Sequence, residues 1–89
     1  MIQVKLSILI PLYNNKNGLK NILNCLHKIK NEDAKYLEII ISDDSDIPHL
    51  RNRSINKLKD KFKHFHYKHN SPKLGASNNW NRLIEISKG

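Results

Sequence analysis

Leu37-Glu38-Ile39-Ile40-Ile41-Ser42-Asp43-Asp44-Ser45-Asp46 carries four apolar residues in its first five positions and three acids in its last four. β-branched residues without alternation suit a strand covered on both faces, so Leu37–Ser42 reads as a buried parallel strand. The acids mark the point where that strand surfaces. In an open α/β sheet, ligands bind outside the carboxyl ends of the strands. Asp43 and Asp44 therefore stand where a ligand is met, able to accept from hydroxyls or a ring N–H, or to hold a cation.

Working outward, Leu6–Ile10 is a short apolar run stopped by Pro11, a first strand that looks central because it is apolar on both faces. Pro11 to Gly18 is a turn-rich loop. Leu19, Ile22, Leu23, Leu26 and Ile29 then recur at helical spacing, with Asn15 or Asn17 as the cap. Cys25 lies beside that stripe and reads as a buried, inert thiol. Asn31 to Lys35 is a polar connection. After the acidic strand end, Ser45 or Asp46 is expected to cap a second helix, with Pro48 in its first turn and Leu50, Ser54 or Ile55, Leu58 and Phe62 toward the sheet.

Phe62 to His69 alternates, a third and more exposed strand. Asn70 to Gly75 is a loop, Ser77 caps a third helix, and Trp80, Leu83, Ile84 and Ser87 share its face. Lys88-Gly89 reads as that helix's end, with glycine as a left-handed cap. Strand-helix repeated three times argues for parallel strands joined by right-handed crossovers. The expected class is α/β, a three-layer Rossmann-like β-α-β-α-β-α with a short parallel sheet. Residues 1–89 would form one partial domain, the opening segment of a larger one. Its uncovered strand edge and sheet face are expected to drive self-association.

A chain of 89 residues buries only a little over roughly 60% of its unfolded surface, so its core is thin. No apolar run approaches a membrane span, and Met1-Ile2-Gln3-Val4-Lys5 does not read as a signal peptide. One cysteine leaves no internal disulfide framework, and a reducing, cytosolic setting is the default. The net charge is +8, but Lys and Arg are scattered from Lys5 to Lys88, and their abundance alongside Asn points to compositional bias. Nucleic acid is not the expected partner.

Tyr13 closes the first strand's loop, and Asp43 and Asp44 close the second. An aromatic face beside a carboxylate suits a planar base and its ribose. The same residues would also make a packing tyrosine, a turn and a helix cap, and spacing does not choose between these readings. Neither G-x-G-x-x-G nor a Walker phosphate loop occurs. Lys73 and Gly75, before the third helix, could meet phosphates. His64, His66 and His69 lack a Cys or further acid at ligand spacing and read as an exposed strand face rather than a zinc site.

Ser7-Ile8-Leu9-Ile10-Pro11-Leu12-Tyr13-Asn14, then Glu38 to Asp46, then Asn70 through Gly75 to Asn81 and Gly89, resemble the start of family 2 glycosyltransferases. That family has the GT-A fold and uses nucleotide-diphosphate sugars. The resemblance spans essentially the whole chain. It implies Tyr13 against the base, Asp43 contacting the base, Asp44 on the ribose side, and Pro11 shaping the first loop. Two departures stand out: no glycine follows the paired acids, and Asn79-Trp80-Asn81 replaces a frequent Ala-Arg-Asn. Lys73 or Asn78 would then take over the arginine's part. The resemblance also implies a divalent cation, Mg or Mn, for the complete enzyme, held by an Asp-x-Asp after Gly89, with the catalytic base further on. The expected function is transfer of a sugar to an acceptor hydroxyl, this chain supplying the nucleotide-binding part, binding no metal and being inactive alone. A cytoplasmic protein, peripheral at the inner membrane face in its full form, is implied. The alternative is a small basic α/β module that binds an acidic partner or nucleic acid.

Overall fold

Ile39, Ile40 and Ile41 have no polar side chain among them to turn toward water, and their strand occupies the middle of the sheet with all three almost completely buried. A computed structural model describes residues 3–87. The elements run β1 (Leu6–Leu12), α1 (Lys16–Lys28), α2 (Asn31–Ala34), β2 (Leu37–Asp43), α3 (Asn52–Lys61), β3 (His64–His69) and α4 (Ala76–Ile86). The sheet order is β1-β2-β3 and both pairings are parallel. Ile10 sits opposite Ile41, and Ile41 opposite Tyr67. The architecture is the expected α/β one, a three-stranded parallel sheet with alternating helices.

Because the strands advance in one direction, right-handed crossovers place α1 and α3 on the same face. There Leu19 and Leu26 of α1 and Leu58 of α3 pack with Ile10, Leu12, Ile39, Ile41 and Phe65 into one core. Phe62, fully buried after α3, closes it. The last helix, α4, returns across β2 and β1, so it lies on the opposite face, completing three layers.

The structure corrects several local expectations. β1 does not stop at Pro11 but continues to Leu12. It is an edge strand among the described residues, not a central one, and an edge tolerates proline's missing donor. Only Ile10 and Leu12 of β1 are buried, while Leu6 is exposed. Asn15 caps α1, its side chain accepting from the Gly18 amide at 2.9 Å. Neither Ser45 nor Asp46 caps the next long helix. That helix begins at Asn52 after Arg51, and Pro48 stays in the loop before it. Gly75, not Ser77, precedes α4. The buried face of α4 is Asn79 and Leu83, with Trp80 and Ile84 outside. Cys25 is exposed, not buried. Part of the Asn31–Lys35 connection winds into α2, whose Ala34 is buried. Met1, Ile2 and the proposed Lys88-Gly89 cap lie outside the described residues.

Candidate functional site

Successive side chains on a strand point to opposite faces, so Asp43 and Asp44 part company at the end of β2. Asp43 turns toward the α1/α3 face and is completely buried. Its Oδ1 accepts from the Ser45 amide at 2.9 Å, and its Oδ2 from the His49 amide at 2.9 Å and the Tyr67 hydroxyl at 2.5 Å. Burial pushes this carboxyl up, but the bonds from Ser45, Tyr67 and His49 outweigh burial and hold it below the ordinary carboxylate range. The Tyr67 hydroxyl, desolvated and donating to a carboxylate, is pushed up to about 12. Asp43 thus shapes the loop from Ser45 to His49.

Asp44 turns the other way and organises the loop before α4. Its Oδ1 accepts from the Leu74 amide at 2.8 Å and from Asn70 Nδ2 at 3.1 Å, and its Oδ2 from the Gly75 amide at 2.8 Å. Burial again raises the carboxyl's affinity for protons, while the two amides, Asn70 and the nearby Lys73 charge bring it below the ordinary range. Gly75 has φ 85°, a conformation side chains resist, although a Cβ there would meet nothing within 4 Å. Backbone geometry, not crowding, accounts for glycine at this position. Asn79 Nδ2 donates to the Ser42 carbonyl at 3.0 Å, while Asn70 Nδ2 donates to Ser42 Oγ at 3.0 Å and Asn79 Oδ1 at 3.3 Å. These amides tie α4 to the end of β2.

The first loop is tied to the second by Asn14, at φ 43° in the left-handed region that asparagine tolerates. Its amide donates to Ser45 Oγ at 2.8 Å. Its side chain accepts from the Asp46 amide at 3.0 Å and donates to Asp46 Oδ2 at 3.1 Å. Asp46 is also paired with Lys73, whose ammonium lies 5.1 Å from the centre of the Tyr13 ring. Both partners of that ion pair are exposed, so it contributes little to stability.

These loops enclose a cavity of about 360 Å³, lined by Pro11, Leu12, Tyr13, Asp44, Lys73, Gly75, Ala76, Asn79 and Trp80. Of the residues singled out from the sequence, Pro11, Tyr13, Asp44, Lys73 and Gly75 meet there. Asp43 lies behind the wall. Asn78 is exposed outside it and donates to the Leu74 carbonyl at 3.0 Å. Trp80 and Asn79 line the cavity and were not among the expected site residues. Hydrophobic spacing alone places Trp80 on the packed face of its helix.

A family model described as glycosyl transferase family 2 matches residues 7–89. The chain belongs to glycosyl transferase family 2. Neither the curated proteins nor the solved structures contain a match. Membership carries glycosyl transfer as the general activity, and it accords with a Rossmann-like sheet of the kind that opens a GT-A fold.

For this glycosyltransferase chain, no group of three or more His, Cys, Asp and Glu that could hold a metal occurs among the described residues. His66 Nε2 comes within 3.8 Å of Glu38 Oε2, an acid that sequence spacing did not bring near the histidines, but that pair gains no third ligand. The oxygens of Asp43 and Asp44 already accept from amides and hydroxyls. No helix among the described residues is long and apolar enough to cross a membrane.

Proposed function

We propose that the cavity holds the nucleotide of a nucleotide-diphosphate sugar, and that residues 1–89 supply the amino-terminal donor-binding part of the transferase. The observation that carries this reading is the convergence of Tyr13, Asp44, Lys73 and Trp80 on one opening at the carboxyl ends of β1 and β2. Two half-exposed aromatic rings offer stacking faces for a base. Asp44 Oδ2 accepts one amide bond, from Gly75, and keeps capacity for a ribose hydroxyl. Lys73 Nζ, tethered to Asp46, is the nearby cation for a phosphate. Asp43, which the resemblance puts on the base, would have to exchange one of its present donors for a ring N–H. Asn78 would reach a ligand only from outside the cavity.

Transfer itself needs a group that deprotonates the acceptor hydroxyl, and none is assigned among these residues. A divalent cation would stabilise charge on the diphosphate leaving group. The carboxylates that hold it would be others than Asp43 and Asp44. The chain alone is therefore proposed to bind nucleotide without transferring sugar, in a reducing cytosolic compartment.

Trp80 is the chain's single tryptophan, so its fluorescence reports directly on the cavity. Uridine diphosphate should quench it saturably. Tyr13→Ala should weaken that binding by about tenfold, since stacking a base on an aromatic ring is worth about 1–3 kcal/mol. No fluorescence change and no shift of the Gly75 amide resonance at millimolar nucleotide would refute the reading.

The open edge of β1 is the proposed route of self-association. Beside it, Ile8, Ile10, Ile22, Leu26 and Ile29 line an apolar groove into which Cys25 also faces. A second copy burying this groove would give a concentration-dependent dimer in sedimentation equilibrium. A monomer at every concentration up to the solubility limit would contradict it.

A further inference from the structure

The fold gathers charges that look scattered along the sequence. Residues 16–28 and 51–63, which comprise α1, α3 and the flanks of α3, hold nine Lys and Arg against the one acid Asp60. Their balance of +8 equals that of the whole chain, because the remaining residues carry seven basic and seven acidic side chains. Both helices lie on one face of the sheet, packed through Leu19, Leu26 and Leu58. Lys61 Nζ of α3 reaches across to the His27 carbonyl of α1 at 2.7 Å. One layer of the molecule is thus strongly cationic, and the layer formed by α4 is not.

We propose that the outer surface of the α1/α3 layer docks on a membrane surface rich in anionic phospholipid headgroups. Three observations favour lipid over nucleic acid. The layer exposes no Phe, Tyr or Trp for a base to stack on, since Phe62, its one such residue, is fully buried. Seven of its nine cations are lysines, point charges that suit a dispersed anionic surface; base-edge readout favours bidentate arginine. The charges also spread over two helices side by side, a broad array that matches a plane of headgroups better than a single backbone track. Lys28 stands opposite the buried Leu19 and Leu26 of α1 and Lys20 flanks them, while Arg53 and Lys57 lie off the Leu58 side of α3, and all four are exposed. The Tyr13–Trp80 cavity is built against α4, on the other side of the sheet, so docking through this layer leaves it open. The proposal does not rest on the nucleotide reading.

Co-sedimentation with phosphatidylcholine vesicles, with and without about 30% phosphatidylserine, tests it. The chain should bind only the anionic vesicles and should leave them at about 0.5 M salt. Replacing Lys20, Lys28, Arg53 and Lys57 by Gln should weaken binding on the order of a thousandfold, at about 1 kcal/mol per charge. Replacing Lys5, Lys35, Lys68 and Arg82, exposed cations elsewhere, removes the same total charge and should leave binding within a few-fold. Circular dichroism checks that both variants fold, and the salt response of the unaltered chain stands if one does not. Equal binding to neutral vesicles, no binding to anionic ones, equal losses in the two variants, or displacement from vesicles by a stoichiometric oligonucleotide would each overturn it.

Discussion

Asp43→Ala should destabilise the chain by about 3 kcal/mol or more, the largest loss expected from any surface-loop or strand-end position. The side chain is completely buried, and three donors converge on it: the Ser45 amide, the His49 amide and the Tyr67 hydroxyl. Truncation leaves each to find another partner, and a buried donor without one costs about 1–3 kcal/mol. A domain of this size has only about 5–15 kcal/mol in total and a thin core, so the melting temperature should fall by on the order of 15 °C. Tyr67→Phe removes one donor while leaving the carboxylate two amides, and should cost only about 1 kcal/mol. The double variant should lose less than the sum, because the hydroxyl's partner is already gone.

The same carboxylate sets the acid limb of stability. Unfolded, it titrates at its ordinary value of 3.8; folded, its hydrogen bonds hold it lower. Between those values the unfolded chain carries the proton and the folded chain does not, so stability rises with pH across that window. Its contribution is complete above 3.8 and is lost as pH falls through the folded value. Asp44 acts in the same direction. At the alkaline end the sign reverses: Tyr67's contribution is present below its ordinary value of 10 and lost as pH rises through about 12. Thermal melts across pH should show the acid limb flattened in Asp43→Ala and the alkaline limb flattened in Tyr67→Phe.

What could be read from the sequence followed from how local each determinant is. The unalternating Ile39-Ile40-Ile41 declared a strand buried on both faces, and the Phe65–Tyr67 alternation declared one that is half-exposed. Cap chemistry alone misplaces a helix start where the cap-forming residues have distant obligations. Ser45 and Asp46 have the right chemistry to begin a helix, but Asn14, more than thirty positions away, engages both. No local pattern reports that. Similarly, hydrophobic spacing put Trp80 and Ile84 on the packed face of α4. The helix instead crosses polar strand ends, where the Ser42 carbonyl needs a donor, and Asn79 supplies it. The adjacent acids look like a pair, although the pleat of a strand separates any two consecutive side chains. That alternation is legible in the sequence and puts Asp43 and Asp44 on opposite faces of the sheet.

Asp44→Ala should cost nucleotide affinity more than any single aromatic replacement, by about a hundredfold, while lowering stability less than Asp43→Ala does. The carboxylate does two things at the cavity. It fixes the Leu74 and Gly75 amides, and with them the Lys73–Gly75 segment of the wall, and in the proposed nucleotide complex it would offer an accepting oxygen to a ribose hydroxyl. Hydrogen bonds to a charged partner are worth about 1.5–3 kcal/mol, and the alanine variant gives up the ligand's bond and the wall's order together. Leu74 and Gly75 are near solvent, so water replaces the lost carboxylate there at a stability cost of about 1–2 kcal/mol. Asp44→Asn separates the two roles, because its amide oxygen can still hold one backbone N–H while the charge is gone. If wall order dominates, Asn should recover most of the affinity. If the charge on the ribose side dominates, Asn should behave like Ala. Titrations of both variants followed through Trp80 distinguish these outcomes, and unchanged affinity in both would remove Asp44 from the nucleotide site altogether.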